Sequence, residues 1–163
     1  MKQTYRILAG LIALGVFVQA GAIAFGWFDA IVAIESGTVI DSNFQPNAGH
    51  MTHHVVGMYV MPLLGLVFLI SSVFARRAVP RAAKWAGIVF GVIVLQVALA
   101  FAAFMVAPIL GALHGINALV LFACAVRAAL LTRESRTAGT GTAAGAVPSQ
   151  RTGTSTAGSN LPV

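Results

Sequence analysis

The sequence predicts an all-α fold, an integral membrane up-down-up-down four-helix bundle followed by a disordered C-terminal tail. Three observations carry that prediction. The 163 residues are 58% hydrophobic and only 9% charged, with a mean hydropathy of +0.90, well outside the soluble globular range. Four apolar runs each approach or exceed the roughly 20 residues that a helix rising ~1.5 Å per residue needs to cross a ~30 Å hydrocarbon core. The links after the second and third runs are short, which makes consecutive helices antiparallel neighbours.

The first run covers about 7–27 and follows Lys2 and Arg6. Ala20, Ala22 and Ala24 near its end resemble a signal-peptide cleavage region. The run is long for a signal core, however, and it is echoed later in the chain, so a retained helix is expected. The connector 29–49 starts with Ile31, Val32, Ala33 and Ile34 and then turns polar; it reads as a plain link, with a short amphipathic lid as the alternative. Run two, about 51–75, is headed by His54 and carries Pro62, which removes a backbone hydrogen bond and bends the helix. Arg76 to Lys84 form the next link, run three covers about 85–106, and Ala107-Pro108 turn the chain into run four, about 109–131. From 132 to 163 the chain is rich in Gly, Thr, Ala and Ser, too poor in apolar residues to offset the entropy of ordering. A single domain, 1–131, is therefore expected.

The formal charge of +6 does not point to nucleic acid, because of where the basic residues fall. They precede run one, fill the link between runs two and three, and close or follow run four at Arg127, Arg133, Arg136 and Arg151. The other two connections contain none. Lys and Arg are retained on the cytoplasmic side, so the expected location is the cytoplasmic membrane with both termini inside. Asp29, Glu35, Asp41, His50 and His53 then face outward. The lipid bilayer is the expected partner, with weak attraction to anionic headgroups. Cys124 is the only cysteine, which excludes an intrachain disulfide, and it reads as a packing residue.

An internal echo runs through the apolar helices. Ala9-Gly10 and Gln19 recur 77 residues later as Ala86-Gly87 and Gln96, while His54 recurs 60 residues later as His114. The chain thus divides into two hairpins, each a Gln helix followed by a His helix, as in membrane proteins built from parallel repeats.

Ionisable groups inside a membrane span are costly and call for a partner. With the predicted topology, His54 and His114 sit at one depth, each about 29 to 33 Å from the inner basic boundary. Their helices lie on a diagonal, roughly 11 to 14 Å across for neighbours about 8 to 10 Å apart. Two histidines facing each other over that distance are suited to axial ligation of haem iron. Gly57, Gly115, Asn117, Gln19 and Gln96 complete the expected cofactor-binding set. The small residues and glutamines equally serve helix packing without a cofactor, including the glycine pairs Gly87/Gly91 and Gly111/Gly115. His50 and His53, near His54, form an alternative metal site.

The order of a histidine at the head of helix two, a basic link, a Gln-bearing helix three, a short turn and Leu113-His114-Gly115-Ile116-Asn117-Ala118-Leu119 resembles one four-helix half of the haem A synthases. The resemblance spans about 6–131. It implies haem held between His54 and His114. Those synthases carry a glutamate four residues before the second-helix histidine, where this chain has His50, and they have two halves. The likeness therefore implies haem ligation without the synthase chemistry, and a homodimer or larger membrane complex if two sites are to be paired. The His-Gly-Ile-Asn segment also resembles a family of small actinobacterial four-helix membrane proteins.

The function expected is that of a b-type cytochrome-like protein holding haem b for electron transfer, redox sensing or haem handling. The rivals are a non-catalytic membrane subunit or scaffold without a cofactor, and a quinone- or metal-interacting module. No nucleophile with a base, acid pair or phosphate loop is visible, which argues against hydrolytic and phosphoryl-transfer enzymes.

Overall fold

The computed structural model describes residues 1–41 and 43–141, with side chains through 133; the remainder of the tail expected over 132–163 lies outside the described residues. The described residues form four long helices and no strands: α1 (Lys2–Glu35), α2 (Ala48–Ala75), α3 (Ala82–Met105) and α4 (Leu110–Gly141). All four are long and apolar enough to cross a membrane.

Two helices run well past their expected C-terminal bounds. α1 continues through the first third of the 29–49 connector because Ala30 to Ile34 are apolar and contain no breaker. It stops at Ser36-Gly37, where Gly37 takes a φ of +96°. The amide of Gly37 donates to the Ile34 carbonyl and that of Thr38 to the Ala33 carbonyl, a Schellman closure that favours glycine at this position. α4 runs on to Gly141, ten residues past the expected boundary at Leu131, through a stretch with helix-favouring Arg, Glu and Ala.

Each helix packs against two neighbours, in the cyclic order α1, α2, α3, α4, leaving α1/α3 and α2/α4 on the diagonals. The core between them is built from a few large residues and many small ones. Tyr5, Ala9 and Ile12 of α1 are buried, as are Ala82, Ala86 and Val89 of α3, which stand 77 positions later. Met61, Gly65, Phe68 and Ser72 of α2 are buried, as are Leu121, Ala125, Ala128 and Thr132 of α4, which stand 60 positions later. Even the hydroxyls correspond: Ser72 donates to the Leu69 carbonyl and Thr132 to the Ala129 carbonyl. The sequence echo is thus an echo of burial. Large apolar side chains such as Phe28, Phe104 and Leu119 point outward instead, an exposure that matches a multi-pass membrane protein rather than a soluble monomer.

α2 is not a uniform helix. Val56–Val60 form a π-helical turn, and the amide of Met61 reaches back to the Val56 carbonyl. Pro62 explains its place: it has no N–H for the carbonyl four residues earlier, and its ring crowds that turn, so the helix widens and takes in one extra residue.

At the basic end of the bundle, where residues 2–6, 76–82 and 132–133 meet, Tyr5 packs on Phe68 with ring centres 4.7 Å apart and donates to the Ala82 carbonyl at 3.2 Å. At the other end, Asn47 caps α2. It accepts from the His50 amide and donates to the Gly26 carbonyl and to Asp29. Gly49 lies against α1 so closely that a Cβ there would come within 2.7 Å of backbone atoms of Gly26 and Ala22. This close crossing ties α1 to the head of α2.

Candidate functional site

One polar belt crosses the interior near the histidine end. In the second hairpin, Gln96 and His114 exchange two bonds: Gln96 Nε2 donates to the His114 backbone carbonyl at 3.0 Å, and His114 Nδ1 lies 2.9 Å from the Gln96 backbone carbonyl. Asn117, 8% exposed, donates to Gln96 Oε1 at 2.6 Å and to the Val92 carbonyl at 3.1 Å. These are positions that the sequence singles out, and the structure brings three of them, Gln96, His114 and Asn117, together.

The first hairpin repeats the arrangement with a different histidine. It is His53, not His54, whose Nδ1 lies 3.1 Å from the Gln19 carbonyl. Across the α2/α4 diagonal the rings of His53 and His114 meet in a T-shaped, edge arrangement, centres 6.2 Å apart and planes at 62°. His54 is exposed, with its ring beside Tyr59 at 6.3 Å. The expected pairing of His54 with His114 is therefore replaced by one of His53 with His114.

The π turn is the physical reason. From the buried Met61, an uninterrupted α-helix would bring His54 onto the same stripe seven residues earlier, as His114 stands seven before Leu121. The extra residue lengthens that interval to eight and turns the head of α2 by about 100°. His53 then comes inward and His54 moves out. Pro62 was the only sequence signal of this irregularity; a proline marks a disturbed helix without fixing how many residues it absorbs.

The other expected residues divide in the same way. Gly57 is at the site: a Cβ there would stand 2.7 Å from Gln19 Nε2. Gly115 is not; it is exposed and its Cβ would meet nothing within 4 Å. Gly87 and Gly91 likewise face open space, so within this chain their spacing packs no helix. His50 and His53 have different hydrogen-bond partners. His50 Nδ1 sits 3.0 Å from Asn47 Oδ1 and its ring lies edge-on to Trp27, while His53 is turned to Gln19. Among the described residues no three His, Cys, Asp or Glu side chains are grouped to share an ion.

Two features give the belt chemical capacity. A backbone carbonyl at Nδ1 of each interior imidazole favours a proton there, which leaves each Nε2 with its lone pair, the form in which histidine binds a metal. Gln19 Oε1 is buried with no hydrogen-bond partner among the described residues, whereas Gln96 Oε1 has Asn117. The position matching Asn117 falls at Val56 or Gly57, inside the π turn, and neither residue has a side-chain donor.

Compared with family models, with curated proteins and with solved structures, the chain matches none.

Proposed function

We propose that this chain is an up-down-up-down bundle of the cytoplasmic membrane, termini inside, that holds haem b between His53 and His114 in the manner of a b-type cytochrome. The topology is supported by the basic residues gathered at one end of the bundle and by Asp29, Glu35 and Asp41 at the other. The observation that carries the haem reading is the adjoining pair of imidazoles, each with Nδ1 committed to the carbonyl of an equivalent glutamine. Their ring centres lie 6.2 Å apart, and His53 and His114 are the residues that would hold the iron.

Haem, when bound, would supply one-electron chemistry suited to electron transfer, redox sensing or haem handling. The chain's own groups orient and shield. Gln19 and Gln96 fix the two rings through their carbonyls. Gly57 leaves room beside the Gln19 amide, whose unpartnered Oε1 is available to a polar substituent. Asn117 holds Gln96 in place.

A second reading rests on the closed knot of Gln96, His114 and Asn117, which satisfies its own polar atoms and ties α3 to α4 as a cofactor-free scaffold would. An oxidised and reduced absorption spectrum of protein made with ample haem separates the two. The haem reading expects haem bands that His53→Ala and His114→Ala each abolish and His54→Ala preserves. A colourless wild-type protein, or bands that survive both interior substitutions, would leave the scaffold reading.

A further inference from the structure

At the basic end, the start of α1 and the end of the described part of α4 enclose a cleft of about 210 Å³, lined by Lys2, Gln3, Arg6, Thr132 and Arg133. Three cations thus surround one space, contributed by helices whose ends are far apart in sequence. Of the four carboxylates in the chain, Asp29, Glu35 and Asp41 lie at the opposite end of α1 or in the connector beyond it, and the fourth, Glu134, follows Arg133 in the sequence. The first turn of α1 adds no acid and has no side-chain cap, so its amide dipoles reinforce the same positive field. A water occupies about 30 Å³, so the space admits a tetrahedral anion with several waters.

We propose that this cleft binds a phosphate group, presented either by an anionic phospholipid headgroup or by free phosphate. Two guanidiniums at one cleft favour phosphate, because each planar fork can pair with two of its oxygens, and Lys2 adds a compact charge. The carboxamide of Gln3 offers a further N–H donor. Lys2 and Arg6 stand four apart and so share a face of α1, and both line the cleft. At a membrane surface the headgroup arm applies; nothing in the cleft depends on the histidine belt.

The test uses the full chain in detergent, with native mass spectrometry as the readout. Phosphatidylglycerol and phosphatidylcholine are compared as ligands, and inorganic phosphate is added as a competitor. Phosphatidylglycerol is expected to be retained about fivefold better than phosphatidylcholine. The Arg6→Gln/Arg133→Gln double variant should weaken that retention about tenfold, while Arg76→Gln/Arg77→Gln, which removes two cations from the neighbouring link, should change it less than about twofold. Displacement by inorganic phosphate assigns the site to free phosphate; persistence of the lipid assigns it to the headgroup. Equal loss in both double variants, equal retention of the two lipids, or binding of neither lipid nor phosphate would overturn the cleft as a site.

Discussion

The two hairpins of this protein place the same residue types in the same belt, yet they finish the polar bookkeeping differently. In the second hairpin Asn117, Gln96 and His114 form a closed set in which the glutamine carboxamide has partners for both its oxygen and its nitrogen. In the first, Gln19 supports His53 through its backbone carbonyl, while its own Oε1 is buried without a partner. The difference traces to one inserted residue. The π turn at Val56–Val60 leaves the lower helix in register with its counterpart, shifts the histidine by one place, and puts no amide where Asn117 stands in the other half. A repeated scaffold thereby acquires one closed side and one side with spare hydrogen-bonding capacity. Functional sites in otherwise regular membrane helices are often marked by such turns.

The sharpest way to break this comparison is to remove the insertion. Deleting Tyr59, an exposed residue within the π turn, is expected to give an uninterrupted α-helix in which His53 stands seven residues before Met61 and so stays inward. In that background His53→Ala should still abolish haem absorbance and His54→Ala should still preserve it. If His54 becomes the sensitive position, the register argument is wrong.

A second contrast concerns glycines. Gly49→Ala places a Cβ against the backbone of Gly26, which cannot yield as a side chain can, and should cost about 1–3 kcal/mol. Gly115→Ala enters open space and should be neutral within about 0.5 kcal/mol or slightly stabilising. Thermal unfolding of both variants in the same detergent checks the pair, and a reversed order would contradict the helix crossing described above.

The polar asymmetry predicts a smaller effect. Asn117→Leu strands Gln96 Oε1 and should lower stability by about 0.6–2 kcal/mol, whereas Gln19→Leu removes an atom already without a partner and should change stability by less than about 0.5 kcal/mol. Equal losses in the two variants would mean that Gln19 Oε1 has acquired a partner. Of similar size to the Asn117 effect, Tyr5→Phe deletes a single buried hydroxyl bond between the hairpins, worth about 0.5–1.5 kcal/mol by the same unfolding measurement.

Much of this architecture is legible without coordinates because it depends on quantities that accumulate along the chain. Four apolar runs, the placement of Arg76, Arg77, Arg81 and Lys84 in one short link, and the 77-residue recurrence of Gln19 as Gln96 each follow from composition and spacing. The site was legible only in part. Gln96, His114 and Asn117 occupy one face of an unbroken helix pair, where periodicity suffices. His53 escaped it: adjacent helical positions differ by about 100°, and the choice between 53 and 54 depends on a local change of helix geometry.

What the amino-acid sequence determined by itself is the number of helices, their apolar character, the segregation of charge and the existence of two similar halves, all of which follow from average hydropathy and residue spacing. What only the tertiary structure decided is which histidine enters the interior, which glycines touch a neighbouring helix, and which glutamine oxygen is left over. Those outcomes depend on rotations of one residue and on fractions of an ångström between packed backbones. A hydropathy pattern is indifferent to such displacements, but hydrogen bonds and van der Waals contacts are not.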